Sequence, residues 1–364
     1  MDKLKNATMG MRFIVALIFT VFTYLYLSCM QADVLAAAQH VLSKGVTTYS
    51  YTVAPILLTL VFMVVQVGVF KITNLHKRAH ALTYFPSIVA LSMLTDISVD
   101  VDQPHGLGKW WWLLPLLFLL WVTAVYAARQ LESVDVPPYK NGWKTGVLWQ
   151  NLLLSFLMMM FCMYTANHDR IFHERMHMEH LMNEGRYAEA LQIGKKQEET
   201  DSSLTMLRMA CLYKMGQLPD RLFTFPLVGG SKPMVLDSVT VKSIMWRAPK
   251  WMQPTNNPHV TYRKPKDYQL CALLLDRKLD RFVTELKRSC NVDSVQLPRH
   301  YKEALILYTH LRTHPQLVFH DAVMDADFQD YQTLERKFAN PQELQTALKD
   351  TYGNTYWYYY EYSK

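Results

Sequence analysis

His173-Glu174-Arg175-Met176-His177 is the one stretch of this chain whose residue types and spacing match a catalytic pattern. Two histidines four residues apart share one face of a helix and suit a zinc ion, and a glutamate beside the first suits a general base acting on metal-bound water. The chemistry implied is that of a membrane-associated zinc metalloprotease, with Glu174 as base and His173 and His177 as ligands. A looser metal site would add His180, and His168 lies nearby. Other residues weigh against it. Arg175 puts a charge inside the motif, and Glu179 stands where an apolar residue normally follows. A catalytic zinc needs a third protein ligand and an open position. Glu198 and Glu199 are near in sequence, but nothing singles out either. A polar helix that exposes its histidines is the preferred reading, so no catalytic residue, cofactor or zinc is expected. The chain has no Gly-rich phosphate loop, GxSxG elbow or dinucleotide fingerprint.

The elements around the motif fall into two compositional halves. Over 364 residues, 50% are hydrophobic and 19% charged, but the apolar ones crowd into the first half. A spanning helix needs about 20 mainly apolar residues. Residues 13–30, 45–70, 110–128 and 145–167 meet that need, and 81–99 is a shorter case containing Pro86. The expected transmembrane domain is therefore 1–167 with about five helices. The net charge is +7, without a basic stripe that would suit nucleic acid. Five spans with the N-terminus inside put Lys3, Lys5, Arg12, Lys71, Lys77, Arg78, Arg129, Lys140 and Lys144 in inner loops, and only Lys44 and Lys109 outside. Inner loops carry the excess of Lys and Arg, so the C-terminal domain is expected outside the cytoplasm. No charged residue lies deep in a clear span, which argues against a pump or transporter. Trp110-Trp111-Trp112 reads as an interfacial anchor.

Residues 168–364 read as a soluble helical domain. Gly185-Arg186-Tyr187-Ala188-Glu189-Ala190-Leu191 has the pattern of a turn between stacked helices, and Gly216 recurs 31 residues after Gly185. That spacing is close to the tetratricopeptide period of about 34. Tyr301, Ala304, Leu305 and Tyr308 share one helical face. Asp220-Arg221 and Asp280-Arg281 look like remnants of a duplicated unit. Residues 226–268, with Gly229-Gly230 and Pro233, Pro249, Pro254 and Pro258, read as an irregular insertion. Asn340-Pro341-Gln342-Glu343 is a helix start. Cys211, Cys271 and Cys290 leave room for one disulfide but form no framework. The aromatic run 356–362 is expected to pack on the domain or the membrane surface.

Leu297-Pro298-Arg299-His300-Tyr301-Lys302-Glu303-Ala304-Leu305, with Leu270-Cys271-Ala272-Leu273-Leu274-Leu275-Asp276 upstream, resembles a Bacteroidota family of multi-spanning membrane proteins of unknown function. The resemblance covers mainly 175–350 and rests on packing motifs. It implies an inner-membrane protein with a periplasmic or surface-facing domain, and it carries no activity. The expected fold class is all-α, a polytopic transmembrane bundle followed by an α-solenoid-like, TPR-like domain. The expected role is a membrane-tethered scaffold that meets the lipid bilayer through its first half and a protein or peptide partner through its second. An accessory subunit of a transport or envelope-assembly complex is the further alternative.

Overall fold

A computed structural model describes residues 2–103, 106–133, 143–195, 197, 199–237, 239–254, 263–289 and 297–363. Lys140, Glu198, Pro258 and Cys290 lie outside the described residues, as do the side chains of Lys3, Lys5 and Lys144. The chain divides into two compact units, Met1–His173 and Glu174–Lys364. Among the described residues every regular element is helical.

In the first unit, α1 (Asp2–Leu25) continues through a π-helical turn, Tyr26–Met30. Next come α2 (Ala32–Leu42), α3 (Val53–Thr73), α4 (Phe85–Thr95), α5 (Trp110–Ser133) and α6 (Trp143–Thr165). Among the described residues four segments are long and apolar enough to cross a membrane: Met9–Met30, Val53–Thr73, Trp110–Leu131 and Gly146–Thr165. The expected segment 45–70 becomes helical only at Val53 and ends at Asn74, whose left-handed backbone (φ 53°) donates to Phe70 O at 2.9 Å. Helix α2 was not foreseen in the sequence.

The shorter expected segment 81–99 is helical from His80 to Thr95, opening with a 3-10 turn over His80–Tyr84. Pro86 does not break it. It sits in the first turn of α4, where its missing N–H is no loss. Ser87, Ile88, Leu91, Ser92 and Thr95 are all buried, so this short helix forms the interior of the bundle. Gln66 Nε2 donates to Thr83 Oγ1 at 3.0 Å, and Ser87 Oγ donates to Phe62 O at 2.9 Å. Small and hydroxylated side chains of this kind let membrane helices approach closely.

Hydrogen bonds fix which helix ends meet. At one end, Tyr26 OH and Thr95 Oγ1 share a bond of 2.8 Å, and Asn167 N–H donates to Thr95 O at 3.1 Å. Gln31 Nε2 donates to Asn167 O at 3.4 Å. At the other end, Ala81 N–H donates to Asn151 Oδ1 at 2.8 Å and Asn151 Nδ2 donates to Lys77 O at 2.9 Å. The segment His80–Thr95 therefore runs alongside α6 from the level of Asn151 to its end at Thr165, a rise of about 21 Å at 1.5 Å per residue.

The second unit takes up the chain within α7 (Arg170–Asn183), which leads to α8 (Tyr187–Ala190), α9 (Ser202–Lys214) and α10 (Leu218–Arg221). After the insertion come α11 (Lys266–Leu275), α12 (Leu279–Ser289), α13 (Arg299–Leu311), α14 (Ala322–Lys337), α15 (Pro341–Tyr352) and α16 (Tyr356–Tyr362). One turn geometry recurs three times. Gly185 (φ 76°) follows α7, Gly216 (φ 68°) follows α9 and Arg277 (φ 58°) follows α11. In each, the next residue's N–H reaches back five positions: Arg186 to Leu181 O, Gln217 to Leu212 O and Lys278 to Leu273 O, at 2.8–2.9 Å. This is the Schellman closure of a helix end. It aligns Leu218 with Leu279, so Asp220-Arg221 and Asp280-Arg281 sit one residue out of register. The two Asp-Arg pairs are therefore not equivalent positions, and the same closure also ends α2, where Gly45 N–H reaches His40 O at 2.8 Å after Lys44 (φ 53°).

Asn340 caps α15 as expected, accepting from Gln342 N–H at 3.0 Å, but Glu343 meets the Asn340 side-chain amide at 3.1 Å. Tyr301, Ala304, Leu305 and Tyr308 are buried, yet so are His300, Glu303, Ile306 and Leu307. Helix α13 is thus a central core helix and not a one-faced one. Cys211 and Cys271 are buried free thiols.

Candidate functional site

The HExxH residues lie on α7, where the structure divides them among separate contacts. His173 Nε2 is 3.2 Å from Asn167 O. The Glu174 carboxylate packs over Gly194 (φ 61°), where an added Cβ would collide with it and come within 3.1 Å of Arg208 Nη2. Arg208 is buried, and burial lowers its pKa while Glu174 and Asp201 hold it up. Glu174 is therefore countercharge to a buried guanidinium. His180 Nε2 meets Glu184 Oε1 at 3.3 Å. His177 is half-buried. Among the described residues no three His, Cys, Asp or Glu side chains converge to hold a metal ion.

Arg175 and Glu179, the two residues that disturb the zinc pattern, have an evident structural task. Glu179 is fully buried and accepts the backbone N–H of Ile244 (2.9 Å), Met245 (2.6 Å) and Trp246 (2.9 Å). Burial pushes its carboxyl pKa up, and the amides of Trp246 and Met245 and the Arg175 charge oppose that. Arg175 Nη2 donates to Lys242 O at 3.2 Å, and Nη1 lies 3.6 Å from Asp201 Oδ2. Helix α7 thereby clamps residues 242–246, and Met234, Val241, Trp246 and Met252 from the same insertion enter the core. Among its described residues the stretch carries only short 3-10 turns before α11 begins at Lys266, two residues inside the expected bound, yet it is packed.

The clamped insertion forms one lip of a groove of about 990 Å³. Tyr268, Ala272 and Leu273 of α11 line it together with Met234 and Leu236 of the insertion. The lip is pinned by Leu236 N–H to Met252 O at 2.9 Å and Lys242 N–H to Ser203 Oγ at 3.1 Å. Asp237 accepts from the N–H groups of Val239, Thr240 and Val241 at 2.7–2.9 Å. The Thr240 hydroxyl and these amides hold its carboxyl well below the usual range.

The charges along the groove are unequally engaged. Asp280 takes a two-pronged bond from Arg312 at 3.0 and 2.7 Å, and Glu285 pairs with Arg288 at 3.0 Å. Asp237 is saturated by its own loop. Lys232, Lys264 and Arg281 also line the groove, and among the described residues no ion pair or hydrogen bond engages their side chains. The groove therefore offers an apolar floor with three cations not engaged by ion pairs against the one ionised carboxylate of Asp237, a net positive excess. The sequence marked Asp280-Arg281 and the Ala272-Leu273 stretch only as packing or duplication signals, because α11, α12 and the insertion are brought together only by the fold.

The C-terminal aromatic run is tied to α13. Buried Glu303 accepts Arg299 Nε at 2.8 Å and Tyr356 N–H at 2.7 Å, and its carbonyl accepts Trp357 Nε1 at 2.8 Å. His300 Nδ1 meets Glu303 Oε2 at 2.8 Å, and His300 Nε2 takes Phe223 N–H at 3.4 Å. This fixes the tautomer with hydrogen on Nδ1. The His–Glu pair is fully buried, so its work is packing.

No curated protein and no solved structure matches the chain. The family of unknown function DUF6057 matches residues 2–252 and 252–363, with its break inside the insertion, and the chain belongs to that family.

Proposed function

We propose that this protein is a membrane-anchored interaction protein of a bacterial inner membrane, whose second unit grips an extended acidic segment of a protein partner. The observation that carries this reading is the groove between the insertion and α11–α12. Its acidic residues are internally engaged, while Lys232, Lys264 and Arg281 are not, so an anionic partner gains charge complementarity. Met234, Leu236 and Leu273 supply the apolar anchor surface that binding sites place at their centre. The recurring left-handed turns at Gly185, Gly216 and Arg277 support a degenerate tetratricopeptide-like build, an architecture suited to gripping extended segments.

The second unit is assigned to the periplasm, with the N-terminus in the cytoplasm. The Lys and Arg distribution supports this. So does the meeting of Gln31 and Asn167, because it puts the end of α1 and the end of α6 on one side however α4 is counted.

The test is fluorescence anisotropy on the full chain in detergent, with matched acidic and basic peptides of alternating apolar pattern. Acidic peptides should bind, weaken with salt, and weaken about tenfold or more on Arg281→Glu with Lys232→Glu. Equal binding of both peptide classes, or none, overturns the reading.

A further inference from the structure

We propose that the first unit holds one acyl chain of a phospholipid in a cleft between α4 and α5. Helix α5 is tied near its start, at its middle and towards its end, and the cleft lies between the first two ties. Near its start, Trp110 Nε1 donates to Asp96 Oδ2 at 2.7 Å and Lys109 Nζ pairs with the same carboxylate at 2.9 Å. Further on, Trp121 Nε1 donates to Leu82 O at 3.0 Å, and Arg129 Nε donates to Thr73 O at 2.9 Å. Between these ties lies a cleft of about 250 Å³. Phe85, Val89 and Met93 line one wall and Leu114, Leu117 and Trp121 the other.

The occupant follows from size, chemistry and surroundings. Water needs polar partners, and the cleft walls are apolar side chains throughout. The cleft opens outward, so the medium around the helices has access to it. A helix of another protein is about 10 Å across, too wide for a cleft whose walls are tied at both ends. A single hydrocarbon chain is slender enough to enter. Within a bilayer, hydrocarbon is also the surrounding medium: α5 exposes Phe118, Leu119 and Tyr126, and only 11% of its most apolar window is buried. The Lys109–Asp96 pair and the exposed rings of Trp111 and Trp112 sit one turn before Leu114, the depth at which charged and aromatic groups meet lipid headgroups. The site is independent of the groove in the second unit and rests only on the first unit being membrane-embedded.

The test uses the full chain in mild detergent with a phosphatidylethanolamine carrying a mid-chain diazirine. After a delipidating wash and irradiation, adducts should map to Met93 and Leu117 in preference to outward-facing Leu119. Ala90→Phe, which fills the cleft, should cut those adducts about tenfold while leaving Leu119 labelling and helical content unchanged. Native mass spectrometry of the unmodified chain should show one retained phospholipid, a readout that does not depend on the variant folding. Adducts no more frequent at Met93 and Leu117 than at Leu119, indifference to Ala90→Phe, or a lipid-free or detergent-only spectrum each overturn the proposal.

Discussion

The Glu179 carboxylate accepts the backbone N–H of Trp246 at 2.9 Å across 67 residues of chain, and both groups are buried. This bond, with those to Ile244 and Met245, connects α7 to the insertion that forms the groove lip. An irregular segment has no ladder to satisfy its amides, so a buried carboxylate substitutes for one.

Glu179→Ala should therefore destabilise the second unit by about 2–4 kcal/mol, since it strands the buried amide of Trp246 and the part-buried amides of Ile244 and Met245. Glu179→Gln keeps an acceptor oxygen without the buried charge and should cost about half as much. Thermal unfolding of the purified chain measures both. Equal stability of the alanine variant and the parent would show that the clamp contributes nothing.

Arg277 takes a left-handed conformation at a turn where the equivalent positions are Gly185 and Gly216. Its Nη2 donates to Tyr359 O at 3.1 Å and to Ser363 O, and its guanidinium lies 5.5 Å from the Tyr359 ring centre. Arg277→Ala keeps the strained backbone and loses the hook, so it should destabilise by about 1–2 kcal/mol. Arg277→Gly loses the hook but relieves about 1 kcal/mol of strain, and should lie nearer the parent. Chemical denaturation compares the pair. A glycine variant less stable than the alanine variant would contradict the shared-turn reading.

The long apolar segments were legible because their composition alone sets their place. Helix α2 was missed because its eleven residues, Ala32–Leu42, are too short and mixed to stand out from a loop. Gly185 and Gly216 announced their turns, because glycine adopts positive φ at little cost. Arg277 hid the third turn, since no residue type there signals a left-handed backbone. The same limit hid the groove. Glu179 partners main-chain amides 65–67 residues away, and no side-chain pattern encodes such partners. In the sequence Glu179 registered only as an obstacle to zinc binding.

The groove lip should loosen in acid. Asp237 has a lowered pKa in the folded chain, so its ionised form adds stability that is complete well above the ordinary value of 3.8 and fades as pH falls below it. Amide hydrogen exchange at Val239, Thr240 and Val241 should accelerate, relative to the core of α13, as pH falls from about 5 to about 2.5. Asp237→Asn should show the faster relative exchange already at neutral pH and little further change. A parent lip whose relative protection stays constant across that window would refute this role.

Chelation should leave the second unit intact. Glu174 lies beside Arg208, His180 beside Glu184, and no three metal-binding side chains converge among the described residues. Chain purified without a His tag, treated with EDTA and dialysed, should unfold at the same temperature as untreated chain, and His173→Ala with His177→Ala should carry no less zinc than the parent. Stoichiometric zinc that disappears in this double variant would revive the hydrolase reading.

Membrane sidedness is the prediction with the widest consequence, because it fixes which side of the membrane the groove faces. Asn167 contacts Thr95 and Gln31 at one end of the bundle, while Asn151 contacts Ala81 and Lys77 at the other. Residues 31–52, 96–103 and the second unit should then share one face, and residues 74–79 should lie on the opposite face with the N-terminus. Single cysteines at Thr48, Gln103 and Ser363, in a chain lacking its native cysteines, should react with an impermeant maleimide added outside intact cells. A cysteine at Arg78 should react only after lysis. Labelling of Ser363→Cys and Arg78→Cys under the same condition would break the link between α4 and α6, and labelling of both only after lysis would move the groove to the cytoplasm.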